Sequence, residues 1–198
     1  RKRFSIGHEL GHFVLHRKEV LEFNCDNSAM NEWFSTQRSA QREVEANEFS
    51  IELLIPRKLA APMVAGEKPE FNLIELLSST FSTSLFSAAI RYPDLTKEPV
   101  AVIFYSKKGG VKTPKRSKLF AEQNYWFHSG PVDKESLAFD VMKGTSNYER
   151  STSVAASAWL ELPEYLQEEL IMEQTRYFPN YDLGFSILWI KDGKLIRN

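Results

Sequence analysis

The chain has 198 residues, a formal net charge of −1, 42% apolar residues and one cysteine. A charge so close to zero supplies no overall field for nucleic acid or acidic lipid, so any such binding would need a local patch. Cys25 alone excludes an intrachain disulfide and a Cys-x-x-Cys zinc site. The longest apolar runs, 100–105 and 185–190, are far too short to cross a bilayer as helices, and a soluble protein of the reducing cytoplasm is expected.

The sequence opens at Arg1 with neither an initiator Met nor a signal-peptide pattern, so residues upstream are expected to have been trimmed. Residues 4–16 predict a helix buried on most sides, its apolar residues Phe4, Ile6, Leu10, Phe13, Val14 and Leu15 interrupted by a polar stripe of His8, Glu9, His12 and His16. Residues 22–39 are polar and read as a loop or short helical turn. A second helix is expected over 39–54, closed by Pro56, with Glu43, Ala46, Asn47, Ser50, Leu53 and Leu54 on one inward face.

Two more helices are expected at 72–81 and 84–92, followed by a turn at Tyr92-Pro93-Asp94. Beyond Pro99 the pattern becomes strand-like. A hairpin is expected from 101–105 through Lys107-Lys108-Gly109-Gly110, then a helix over 133–142 capped by Asp133, strands near 153–160, 170–178 and 185–190, and a tight turn at 191–194. The expected fold class is α+β. An α-helical part over 1–96 precedes a small mixed α/β part over 97–198.

The chemistry concentrates in His8-Glu9-Leu10-Gly11-His12. Residues four apart share a helix face, so His8 and His12 can offer imidazoles to one ion, while Glu9 lies beside the open coordination position as a general base. Three of the four histidines fall within residues 4–16. Gly11 costs a helix roughly 1 kcal/mol relative to Ala and suggests that another backbone approaches closely. A third ligand should be acidic or imidazole and come from a second helix. Glu43, at the head of an otherwise apolar face, fits better than Glu45 or Glu48, which point to other sides, or Glu52, two turns on. An acid facing a core without a cation is costly.

Phe4-Ser5-Ile6-Gly7-His8-Glu9-Leu10-Gly11-His12, followed by Glu43-Val44-Glu45-Ala46-Asn47-Glu48-Phe49 and Leu53-Leu54-Ile55-Pro56, resembles the paired signature of the ImmA/IrrE metallopeptidases. The resemblance implies a zincin-like core with zinc held by His8, His12 and Glu43, and Glu9 activating the attacking water. It further implies a cytoplasmic bacterial or phage endopeptidase whose partner substrate is a helix-turn-helix repressor. In that family a helix and strands precede the His-Glu-x-x-His helix, and this sequence begins after them.

Other features carry less. His16 continues the stripe but lies a turn too far to share the ion, and a supporting or helix-end role is expected. Tyr125-Trp126-Phe127-His128 reads as core aromatics. The lysines around 107–118 read as a solvated hairpin. Residues 76–91 resemble a helix-turn-helix, yet the second helix offers only Arg91 to a phosphate, so packing is the better account and direct nucleic-acid binding is not expected. The competing reading is a DNA- or protein-binding regulator with a structural or lapsed metal site.

Overall fold

Two helices pack along a seam of small residues. A computed structural model describes residues 2–22, 31–112, 114–145, 150–191 and 195. In it α1 (Lys2–Glu22) and α2 (Asn31–Leu54) lie side by side. A Cβ on Gly7 would meet Ser50 Oγ at 2.6 Å, and one on Gly11 would meet the Ala46 backbone at 3.1 Å, so a side chain at either position would crowd α2. Ser50 fastens the seam by donating from Oγ to the Phe4 carbonyl at 2.9 Å.

Pro56 caps the short α3 (Arg57–Val64). Next come α4 (Phe71–Thr80) and α5 (Leu85–Leu95), set at 112° to each other across a turn in which Ser82 takes a left-handed φ of 51°. Ser84 caps α5 by accepting from the Ser87 amide. Among the described residues no single helix is long and apolar enough to cross a membrane; only the bent α4–α5 pair reaches that length and composition together, and its apolar side chains are largely packed in the core.

The strands are β1 (Val100–Ser106), β2 (Gly110–Val111), β3 (Lys115–Arg116), β4 (Trp126–Phe127), β5 (Thr152–Ala155), β6 (Leu160–Glu161), β7 (Leu170–Phe178) and β8 (Leu183–Trp189), with α6 (Lys118–Ala121) and α7 (Leu137–Lys143) between them. One antiparallel sheet runs β2-β1-β8-β7-β5, with β3 also paired to β1, and β4 pairs separately with β6. The register sets Val102 opposite Ile187 and Thr175 opposite Ser186.

Because strand side chains alternate, β1 and β8 each feed two cores. Val100, Val102, Phe185 and Ile187 join Ile51, Ile55, Ile74, Leu77 and Tyr92 on the helical side. Ala101, Ile103, Tyr105 and Leu188 join Phe120, Leu137, Trp159 and Ile171 on the other. The first core therefore draws on residues from both sides of position 96.

The mixed helix and antiparallel sheet composition agrees with expectation, and several local readings need correction. Helix α1 is not buried on most sides: Ile6, Leu10, Phe13, Val14 and Leu15 are all exposed, because α2 covers only the stripe of Gly7, Gly11 and the histidines. Helix α2 begins at Asn31, eight residues before the expected start, while Cys25 and the rest of 23–30 lie outside the described residues. Leu53 faces solvent rather than the inward face. The expected turn at Pro93 is the last turn of α5, which continues to Leu95 with Pro93 buried.

Ser136, not Asp133, caps α7 by accepting from the Phe139 amide; Asp133 instead closes the preceding turn on the Glu135 amide. The stretch 153–160 is broken by a 3-10 turn at Ala156–Ala158. The hairpin expected after Pro99 forms, with Ser106 opposite Gly110. Residues 192–194 of the expected final turn lie outside the described residues.

The helix-turn-helix-like stretch has the crossing of such a unit but not its free face. Leu73, Ile74, Leu77, Ala88, Ala89 and Tyr92 are packed in the helical-side core. Arg91 is 5% exposed and turned inward. It pairs with Glu52 and Asp94 and donates from Nε to the Ile55 carbonyl at 3.2 Å.

Candidate metal centre

Side chains from two adjacent turns of α1 and one of α2 converge. His8 and His12, one turn apart, bring their rings edge to face with centroids 4.7 Å apart. Their Nε2 atoms are 3.1 Å apart. Glu43 reaches across from α2, with Oε2 3.3 Å from His8 Nε2 and Oε1 3.2 Å from His12 Nε2. The histidines are half-buried, whereas the Glu43 side chain is 59% exposed, so the cluster opens to solvent on the α2 side.

These distances suit an ion. Tetrahedral zinc with ligands at about 2.0 to 2.1 Å separates its ligand atoms by about 3.3 Å, close to the three separations found. Two ring nitrogens and a carboxylate form a borderline and hard donor set that borderline zinc accepts. Together His8, His12 and Glu43 are the one group of three potential ligands that meets among the described residues.

Outer contacts hold the rings. His8 Nδ1 is 3.1 Å from Asn47 Oδ1 on α2. An amide oxygen only accepts, so Nδ1 carries the proton and Nε2 presents its lone pair to the cluster. His12 Nδ1 meets His16 Nδ1 at 3.2 Å, and His16 Nε2 lies 2.9 Å from Glu45 Oε2. The hydrogen bond from His16, and then that from Gln41, hold the Glu45 carboxyl below its usual range.

Of the sequence-predicted residues, the structure brings His8, His12 and Glu43 together and leaves Glu9, next to His8, exposed. His16 sits in mid-helix, since α1 runs on to Glu22, so the helix-end alternative gives way to contact with His12. Asn47 and Glu45 were not singled out as supports from sequence. The signal available was position: Asn47 follows Glu43 by one turn, facing the same partner helix. Around 125–128 the expected core aromatics divide, because Tyr125 and Phe127 pack while Trp126 is 73% exposed. His128 is tied to the Ser157 carbonyl through Nε2 at 2.9 Å.

The seam sets the spacing between the ligand helices, because Gly11 lies between the two histidine turns and abuts Ala46. Gly11→Val is expected to push α2 outward and separate Glu43 from the histidines. The expected cost is about 1–3 kcal/mol of stability, read by denaturant unfolding, with a larger relative loss of metal affinity read by chelator competition.

Comparison with known proteins locates the chain. The profile of the IrrE N-terminal-like domain, a peptidase family, matches residues 1–92. No curated protein matches the sequence. Among solved structures, a Mycobacterium tuberculosis transcriptional regulator is similar in fold, with a TM-score of 0.54 and 14% identity over 94% of this chain. The chain spans 55% of the length of that protein. The match over residues 1–92 supports membership of the ImmA/IrrE family.

Proposed function

We propose that the chain is a zinc-dependent endopeptidase with a zincin-like core, in which His8, His12 and Glu43 hold the metal and Glu9 is the general base. The observation that carries this reading is the convergence of three donor atoms, at 3.1 to 3.3 Å from one another, from a His-Glu-x-x-His helix and its packed neighbour. Family membership supports a peptidase role.

When bound, zinc would polarise the scissile carbonyl and make water acidic enough to attack near neutral pH. The chain supplies the remainder. Asn47 orients the His8 ring. Glu9, exposed and beside His8, takes the proton from the attacking water and delivers it to the leaving amine. The exposed flank beside Glu43 leaves room for an extended polypeptide.

The substrate proposed is a helix-turn-helix repressor in the cytoplasm, and residues 97–198 form a regulatory or substrate-recognition part. The fold likeness to a transcriptional regulator is in keeping with such a setting. The test is metal content by elemental mass spectrometry on protein purified without chelator, coupled to cleavage of a co-expressed repressor. About one zinc per chain is expected, with cleavage stopped by a chelator and restored by zinc. No stoichiometric metal after zinc is supplied would overturn the reading.

A further inference from the structure

We propose that Glu45 and His16 form a positioning relay that fixes the ring of His12 toward the ion, an assignment that rests on the ligand reading above. His16 is 4% exposed. Its two ring nitrogens are both engaged, Nδ1 with His12 Nδ1 at 3.2 Å and Nε2 with Glu45 Oε2 at 2.9 Å. The second oxygen of Glu45 accepts from Gln41 Nε2 at 2.8 Å, which steadies the carboxylate from its own helix.

The donor sense runs one way. A carboxylate only accepts, so His16 donates from Nε2, and the neutral ring keeps a lone pair on Nδ1. That lone pair needs a donor, and the group facing it is His12 Nδ1. His12 is therefore protonated on Nδ1, with Nε2 bare and turned to Glu43. His8 reaches the same state by a shorter route, through Asn47.

Two consequences separate this arrangement from ordinary packing. His16 has no nitrogen left for the ion, which explains how a third histidine at helical spacing is excluded from the cluster. The chain of contacts also ends on a carboxylate, which fixes the His12 ring with Nε2 turned toward Glu43. Helix α2 thus supplies one direct donor, Glu43, and two outer anchors, Asn47 and Glu45, one for each histidine.

The experiment uses zinc and the whole chain, with affinity measured by competition against a chromophoric chelator. Glu45→Ala and His16→Phe are each expected to weaken zinc binding by about 10–100-fold. The double variant is expected to match His16→Phe within about twofold, since the two residues act in series. Glu45 lies partly in solvent, so its variant is expected to keep the circular dichroism of the unaltered chain.

A second readout is long-range 1H–15N correlation of the imidazoles in zinc-free protein. His12 is expected as the Nδ1–H form, and as a mixture of forms in Glu45→Ala. Unaltered zinc affinity in Glu45→Ala, or a His12 protonated on Nε2 in the parent, overturns the relay alone. A parent chain that binds no zinc overturns the ligand set as well, and is recognisable because no variant is needed to see it.

Discussion

Glu43→Ala is expected to lose stoichiometric zinc, whereas Glu9→Gln keeps the zinc and the fold but loses cleavage. The two variants separate holding the ion from moving the proton. Glu43 contributes one of three donors at 3.2 and 3.3 Å from the histidine nitrogens. Its removal leaves two imidazoles one turn apart, and zinc affinity is expected to fall more than about 100-fold, beyond the effect of an outer contact. Glu9 is exposed and is not among the three grouped donors. Neutralising it removes a base and keeps the shape, with an expected loss of roughly 100- to 10,000-fold in cleavage rate. Elemental analysis and a cleavage assay on the same preparations check both. Retained cleavage in Glu9→Gln would remove Glu9 from the mechanism.

Glu173→Gln is expected to be the most damaging substitution away from the metal centre. Glu173 is fully buried in the middle of β7. One oxygen accepts from the Leu137 amide and the Trp159 indole, both at 2.9 Å; the other accepts from the Ala138 amide at 3.0 Å and the Ser186 hydroxyl at 2.8 Å. The carboxylate thereby ties the first turn of α7 and the ring of Trp159 to the sheet. A glutamine keeps one acceptor oxygen and turns an amide nitrogen toward one of the two donor pairs, in which only the Ser186 hydroxyl can accept. At least one buried N–H then loses its acceptor, at about 1–3 kcal/mol. For a chain of this size the unfolding midpoint is expected to drop by about 2–12 °C.

The same residue gives a pH signature. Burial outweighs the four donors and raises its pKa above the ordinary 4.5. A raised carboxyl contributes stability that is complete below its unfolded value and declines as pH rises through the folded one. The stability advantage of the parent over Glu173→Gln is therefore expected to shrink as pH climbs from about 4.5, as denaturant unfolding across pH would show.

Glu173 also marks where sequence reading runs out. Inside Leu170–Phe178, a glutamate between Met172 and Gln174 looks like the solvent side of a strand. Only the three-dimensional arrival of α7 and Trp159 makes it a core residue. The meeting of His8, His12 and Glu43 was legible for the opposite reason. His8 and His12 are fixed by helical spacing within a single element, and Gly11 announced the backbone that approaches it.

The exposed apolar residues of α1 misled because hydrophobic periodicity reports which faces avoid water, not which element covers them. Helix α3 gave no signal of its own, being eight residues long with Pro62 inside. Asp133 was the expected helix cap, and Ser136, three residues on, is of a type that caps equally well. The structure uses one for a turn and the other for the helix, and local sequence does not rank them.

The place of β8 has a consequence for synthesis. It lies between β1 and β7, and its Phe185 and Ile187 complete the core that also holds Ile51, Ile55 and Leu77. A growing chain therefore carries the ligand helices long before it carries the strand that closes the floor beneath their neighbours. Until residues 183–189 are made, β1 and β7 lack their shared partner, and apolar surface on the helical side stays open to solvent or chaperone. The helical-side core therefore closes more than a hundred residues after α1 and α2 have been made, and the order of synthesis separates the formation of the helix pair from the closure of the core behind it.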